Sequence, residues 1–366
     1  MKKQRNLQAL MISLMALGSS MYGLFLPIFF LNNGVSFQRL IFYFIAYCLG
    51  GAFSSVIANI LTHKFGIKFF IILRGIVEPI LILIARFYPQ LHYPIEIFGF
   101  VFGFIGFAFW ITIDTMTVKY TDNNSRGNQQ GFIYGALWSA SIVAPFIGGF
   151  LIKQFSYPIL FLVSLLLILI GGVVSLFLKM DVSIKKKFNL FPKLNSKITK
   201  HMMLVFIRGF SFSYVVWMFT LIIYELVHDE FLIGSYGLIL GIISLIATII
   251  SGKLIDRMNK KYLMNAMIFL FSISFIILGL FFNYKYFYLF LFLTYFIYSM
   301  MNVPLNTLFF NDIEQLDVVT LVSERMITFT IGGALSLVLM FFLNYNIIFV
   351  VLGLLTLTSL FYSKEL

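Results

Sequence analysis

Four ionisable side chains lie well inside long apolar runs of this sequence: Arg74, Glu78, Asp114 and Arg208. At the centre of a membrane helix each costs about 2.5–3.5 kcal/mol, so each must face protein or a water-filled cavity. Arg208 follows Lys200 by eight residues, which is about 12 Å of helix and deep enough to reach a central cavity. Its guanidinium is a planar fork of donors suited to an anionic or carboxylate-bearing solute; a structural pairing with Asp114 or with backbone carbonyls accounts for it equally well. Arg74 and Glu78 are four residues apart and share one helix face, with the base ahead of the acid, the weaker orientation. That spacing reads as a packed pair, whereas an unpaired, buried Glu78 would serve as a proton carrier. Pro79 follows it and predicts a local kink. Asp114 lies five residues before Lys119, about 7 Å inside the end of its run, and is the other candidate for a proton.

Other chemistries find little support. His63, His92, His201 and His228 fall at the ends of apolar runs and never cluster, so no metal site is expected. The single cysteine, Cys48, sits in an apolar run and cannot form an internal disulfide. No glycine-rich phosphate loop, zinc-protease motif or nucleophilic triad occurs, so neither a nucleotide, a cofactor nor an enzymatic activity is expected.

The elements that must position these groups are membrane helices. The chain is 61% hydrophobic and only 11% charged, with mean hydropathy +0.99 and 46 phenylalanines, more apolar surface than one soluble core could hide. Twelve spans are expected: 8–31, 37–61, 67–87, 94–118, 130–152, 158–178, 201–226, 231–255, 262–282, 286–310, 325–343 and 347–362. The basic, small-residue amino end resembles a cleaved leader, but its apolar run continues through Leu31, long enough to cross about 30 Å of hydrocarbon, and is read as a retained first helix. With no water to satisfy the backbone, helices are the open-chain solution, and the runs lack the alternation of barrel strands. Of the lysines and arginines other than Arg74 and Arg208, 20 fall towards one side and 4 towards the other, which places both termini and the middle loop in the cytoplasm of a cell-membrane protein. The net charge of +12 therefore reflects topology, and no nucleic-acid partner is expected.

The loop "GKLIDRMNKK" from Gly252 and a blurred copy, "NILTHKFGIK" from Asn59, each follow the second span of a six-span half, so the chain is an internal repeat. Gly252, Asp256, Arg257, Lys260 and Lys261 resemble the loop signature of the major facilitator superfamily. The first copy keeps Lys64, Gly66 and Lys68 but has His63 in place of the acid. Physically the loop suits a gating latch: a glycine for close approach, an acid at a helix end and bases to pair across helices. Asp114 and Asp312, and Arg126 and Arg325, occupy matching places in the two halves as its partners; ordinary interfacial charges are the plainer reading. "GFIYGALWSASIVAPFIGGFLI" is similar to the fifth helix of proton-coupled antiporters of that superfamily through Gly131, Pro145, Gly148 and Gly149, a pattern that small-residue packing also explains.

The resemblance implies an all-α membrane fold of two six-helix bundles related by a pseudo-two-fold axis, here 1–180 and 201–366 with a cytoplasmic linker at 181–200. It further implies that spans one, four, seven and ten line a cavity, making Arg208, Tyr22, Trp110, Tyr214, Trp217, Tyr298, Asn302 and Asn306 candidates to touch a small molecule, and Pro27 and Pro304 bending points. The expected function is secondary active transport by alternating access, with proton-coupled efflux as the main reading and Asp114 or Glu78 taking the proton. The alternatives are an importer or facilitator for sugars or metabolites, an intramembrane lipid-modifying enzyme, and a non-transporting receptor. Expected partners are the solute, protons and membrane lipid, with a monomer as the working state.

Overall fold

The structure, a computed structural model, describes residues 2–66, 68–119, 126–178, 196–282, 287–313 and 317–363; the side chains of residues 2, 3, 5, 63, 117–119, 126–134 and 256 lie outside that description. All regular structure among the described residues is helical. The first half holds α1 (Lys2–Gly23), α2 (Leu26–Asn32), α3 (Phe37–Phe65), α4 (Lys68–Arg86), the short α5 (Tyr88–Leu91), α6 (Ile95–Lys119), α7 (Arg126–Gln154) and α8 (Tyr157–Leu176). The second holds α9 (Ser196–Ser213), a π-helical turn over Tyr214–Met218, α10 (Phe219–Val227), α11 (Glu230–Arg257), α12 (Lys260–Leu280), α13 (Phe287–Ile313), α14 (Val318–Val338) and α15 (Tyr345–Ser363).

Eleven stretches among the described residues are long and apolar enough to cross a bilayer. The remaining expected span is α4, an apolar 19-residue helix set apart by its four charges, Lys68, Arg74, Glu78 and Arg86. It runs unbroken through Pro79. Helix ends follow local chemistry. Ser36 caps α3 by accepting from Arg39 N at 3.3 Å, and Asn259 caps α12 by accepting from Lys261 N at 2.9 Å. Gly66 stops α3 at φ +81°, a left-handed backbone that a side chain would strain.

The chain forms two compact units, residues 1–190 with 220–241, and residues 191–219 with 242–366. Within each, glycines bring helices together by backbone contact, the packing mode available when lipid removes the hydrophobic driving force. In the first unit, Gly99 and Gly103 of α6 lie against α3 so closely that added Cβ atoms would fall 2.3 Å from Tyr43 O and 1.9 Å from Tyr47 O. In the second, Gly209 of α9 and Gly332 of α14 do the same, at 2.1 Å from Phe329 O and 2.3 Å from Phe206 O.

Candidate functional site

In the first unit α4 turns Arg74 and Glu78 inward, and both are buried. Arg74 Nε donates to Glu78 Oε2. Two residues of α1 complete the group: Ser19 Oγ donates to Glu78 Oε1 at 2.8 Å and Tyr22 OH donates to the same oxygen at 2.7 Å. Ser19 also accepts from Arg74 Nη2 at 2.7 Å, and the guanidinium lies 4.1 Å from the Phe109 ring centroid on α6. Both carboxylate oxygens are engaged, so the pair closes α4 onto α1 with its charge neutralised and its donors satisfied. Tyr22, expected at a solute cavity, is committed to this network. Ser19 escaped the sequence reading, although its place three residues before Tyr22 puts it on the same face of α1.

Asp114, further along α6, is buried. Trp110 is half-buried and packs beside an apolar cluster that includes Met11, Met15, Ile71, Phe109 and Ile113.

In the second unit α9, α13 and α14 assemble a chain of polar and aromatic contacts. Arg208 Nη1 donates to Asn306 Oδ1 at 3.3 Å, and Arg325 Nη2 donates to that same oxygen. The Arg208 guanidinium lies 5.5 Å from the Phe329 ring centroid, and that of Arg325 lies 4.9 Å from Phe309. Arg325, expected at the start of a span as a latch partner, lies inside α14, where it is buried and donates to Asn306. Tyr298, Asn302 and Asn306 recur every four residues along one face of α13. Tyr298 OH, Asn302 Oδ1 and Arg208 Nε are buried with no hydrogen-bond partner among the described residues. Tyr214 is different: fully buried in the π-helical turn, it donates to Ser336 O at 2.9 Å and so braces α14. Trp217 packs edge-on against Phe212, with ring centroids 5.4 Å apart.

At the far end of α13, Asp312 accepts from Lys197 Nζ at 2.6 Å and from His201 Nε2 at 2.7 Å. Both partners are on α9, and the His201 ring is buried edge-on to Phe309. Asp312 thus ties α9 to α13 within one unit rather than pairing with the loop from Gly252. In that loop Lys253, Arg257 and Lys260 are exposed, and a Cβ at Gly252 would meet no atom within 4 Å, so close helix approach is not what this glycine provides here. The side chains of Asp256, His63, Arg126 and Gly131 lie outside the described residues. In the first-half copy, Lys64 is exposed, whereas Lys68 Nζ caps the end of α8 by donating to Leu176 O at 2.7 Å and Leu178 O at 2.9 Å.

The fifth-span motif packs tightly inside the first unit. A Cβ at Gly148 would lie 2.8 Å from Met21 O, one at Gly149 2.7 Å from Glu230 O, and one at Gly234 2.5 Å from Pro145 O. Beside it lies a polar knot that sequence spacing gave no means to find: Tyr224 OH donates to Asn32 Oδ1 at 2.6 Å, and Asn32 Nδ2 and Tyr157 OH donate to Glu230 Oε1 at 3.0 and 3.1 Å. Among the described residues no three His, Cys, Asp or Glu side chains gather as a metal site requires.

Comparison with known proteins gives a consistent answer. The family model of the Major Facilitator Superfamily matches residues 9–323. An uncharacterized Bacillus subtilis (strain 168) protein, YqgE, is 26% identical over 173 residues, which is 44% of this chain and 40% of the relative's own length. Among solved structures, the nucleoside transporter NupG aligns at TM-score 0.70 and 14% identity, covering 98% of this chain and 99% of its own. The E. coli fucose:proton symporter FucP aligns at TM-score 0.71 and 14% identity, covering 99% of this chain and 98% of its own.

Proposed function

Because the chain belongs to the major facilitator superfamily and shares its all-helical transporter fold, we propose that it carries a small polar metabolite across the cell membrane by alternating access, in the direction of uptake and with protons as the coupling ion. The halves 1–180 and 201–366 are the moving bodies, both termini face the cytoplasm, and a monomer suffices. One observation carries the reading. Arg208, Tyr298 and Asn302 keep buried polar atoms without partners among the described residues inside membrane spans, where an unsatisfied polar group costs about 1–3 kcal/mol. Such atoms are retained where water or a solute completes them.

Uptake is preferred to efflux on two grounds. The solved relatives of the same fold are a nucleoside transporter and a fucose:proton symporter. The antiporter-like residues Pro145, Gly148 and Gly149 are accounted for by helix packing alone, which removes the support the efflux reading drew from them.

The test uses proteoliposomes with the outside made acid, offered radiolabelled sugars, nucleosides and small carboxylates. Accumulation of one solute above equilibrium, abolished by a protonophore, supports proton-driven uptake. Extrusion of that solute driven by an acid interior, or no protein-dependent flux of any solute with correctly inserted protein, overturns it.

A further inference from the structure

The compact units do not follow the sequence halves. Residues 220–241, the end of the seventh expected span and the start of the eighth, belong to the second half by sequence but pack with residues 1–190 in the first unit. On the transporter reading above, the two halves move against each other, so whatever holds this segment must let go once in each cycle. We propose that residues 220–241 are a gate at the face away from the termini, and that Asn32, Tyr157, Tyr224 and Glu230 are its latch.

The latch is built at helix ends that the expected topology brings to that face. Asn32 ends α2, Tyr157 begins α8, Glu230 begins α11, and Tyr224 lies in the last turn of α10. Glu230 Oε1 accepts from Asn32 Nδ2 at 3.0 Å and from Tyr157 OH at 3.1 Å, while Asn32 Oδ1 accepts from Tyr224 OH at 2.6 Å. Each of these bonds joins a residue of the first half to one of the second, all within the first unit.

The segment holds together as one piece. His228 N donates to Tyr224 O at 2.8 Å, and His228, at φ +50°, turns the chain between α10 and α11. Asp229 Oδ1 then accepts from Leu232 N at 2.9 Å and starts α11. Next to the latch, α11 lies on α7 by a glycine face: Cβ atoms at Gly234 and Gly237 would fall 2.5 Å from Pro145 O and 2.7 Å from Pro145 Cβ. Such a face gives close contact without interlocking side chains, so it can part without repacking. The π-helical turn Tyr214–Met218 directly precedes α10 and supplies a break in the regular helical ladder where bending is least costly.

What makes this a latch and not a rivet is its access to water. Asn32 is exposed, and Tyr157 and Glu230 are half-buried, so water replaces each partner as a bond breaks. Each such bond then biases the closed form by a factor of about two to ten, enough to hold the segment and small enough to reverse.

The experiment follows Ile233→Cys with a membrane-impermeant maleimide added outside sealed proteoliposomes. Ile233 is 2% exposed and lies three residues from Glu230 and four from Gly237, on the α11 face turned to α7. The native Cys48, also 2% exposed, is the internal reference for unfolding. Tyr224→Phe should raise the labelling rate at position 233 by about two- to tenfold, and Glu230→Leu, which removes the acceptor of two bonds, by more, with Cys48 labelled no faster than in the parent. The proposal is overturned if Tyr224→Phe and Glu230→Leu label position 233 at the parent rate, or if Cys48 accelerates equally. Flux of the sugars, nucleosides and carboxylates offered above separates the two readings. Uptake that persists after Asn32→Cys and Glu230→Cys are bridged by a short bis-methanethiosulfonate overturns the gate and leaves the transporter standing, whereas latch-dependent labelling with no flux of any solute by the parent overturns the transporter and leaves the latch.

Discussion

Replacing Glu78 by glutamine tests whether the buried network of α1 and α4 is a structural clamp or a proton site. The side chain is 4% exposed, and its oxygens take donors from three groups: Ser19 and Tyr22 at Oε1, and Arg74 at Oε2 with a longer bond, 3.4 Å, to Oε1. Glutamine has a single acceptor oxygen, so its amide NH2 must face one of these donor sets, and Arg74 loses its counter-charge in either orientation. Breaking a buried ion pair from one side costs about 3–5 kcal/mol, whereas interhelical hydrogen bonds in bilayers average about 0.6 kcal/mol. The guanidinium keeps its contacts with Ser19 and the Phe109 ring, so a loss of about 2–4 kcal/mol is expected. Arg74→Met combined with Glu78→Met removes both charges at similar volume and should be less destabilised than Glu78→Gln alone. The assay is equilibrium unfolding in mixed micelles with increasing sodium dodecyl sulfate, alongside proton-driven uptake. A Glu78→Gln protein as stable as the parent, with uptake uncoupled from the pH gradient, would refute the clamp and return Glu78 to the role of proton carrier.

Gly103→Ala should cost at least about 1–3 kcal/mol by overpacking, because its Cβ would sit 1.9 Å from a backbone oxygen; Gly252→Ala, with no atom within 4 Å of its Cβ, should unfold within about 0.5 kcal/mol of the parent in the same micelles. Lys197→Ala should cost less than about 1 kcal/mol, since its side chain is 49% exposed and its pair is screened by solvent. Asp312→Ala should cost more, because it orphans His201, which is 1% exposed; equal losses in the two variants would argue against an interior role for the imidazole. Tyr224→Phe removes the 2.6 Å bond to Asn32 and should cost about 0.5–1.5 kcal/mol, read as an earlier unfolding midpoint.

Much of the fold was legible because a membrane forces a simple pattern on sequence: long apolar runs closed by charges, with lysine and arginine on one side. The expected third span illustrates the limit of that signal. α4 carries four charges in an otherwise apolar run, yet the i, i+4 spacing of Arg74 and Glu78 already showed that they could neutralise each other. Which helix they would face was not readable, because the partners Ser19 and Tyr22 are more than fifty residues away. The same holds for Asn32 and Glu230, whose contact within the first unit joins residues 198 apart. Glycines were legible as small residues but not by function: Gly103 and Gly252 look alike in sequence, while one lies against a neighbouring backbone and the other has open space.

Asp312 shows why spacing fixes position better than role. Its match to Asp114 in the other half suggested a shared latch, and each does sit near the corresponding end of its helix. In the second unit, however, α9 brings Lys197 and His201, four residues apart, onto the Asp312 carboxylate. A carboxylate with a lysine on one oxygen and an imidazole on the other gains little from the loop bases, so Asp312 contributes to α9–α13 cohesion. Phe309, three residues earlier on α13, touches both the His201 ring and the Arg325 guanidinium, and Arg325 shares Asn306 with Arg208. The acid is thereby tied, through packed neighbours, to Arg208, whose own guanidinium meets Asn306 on the same helix.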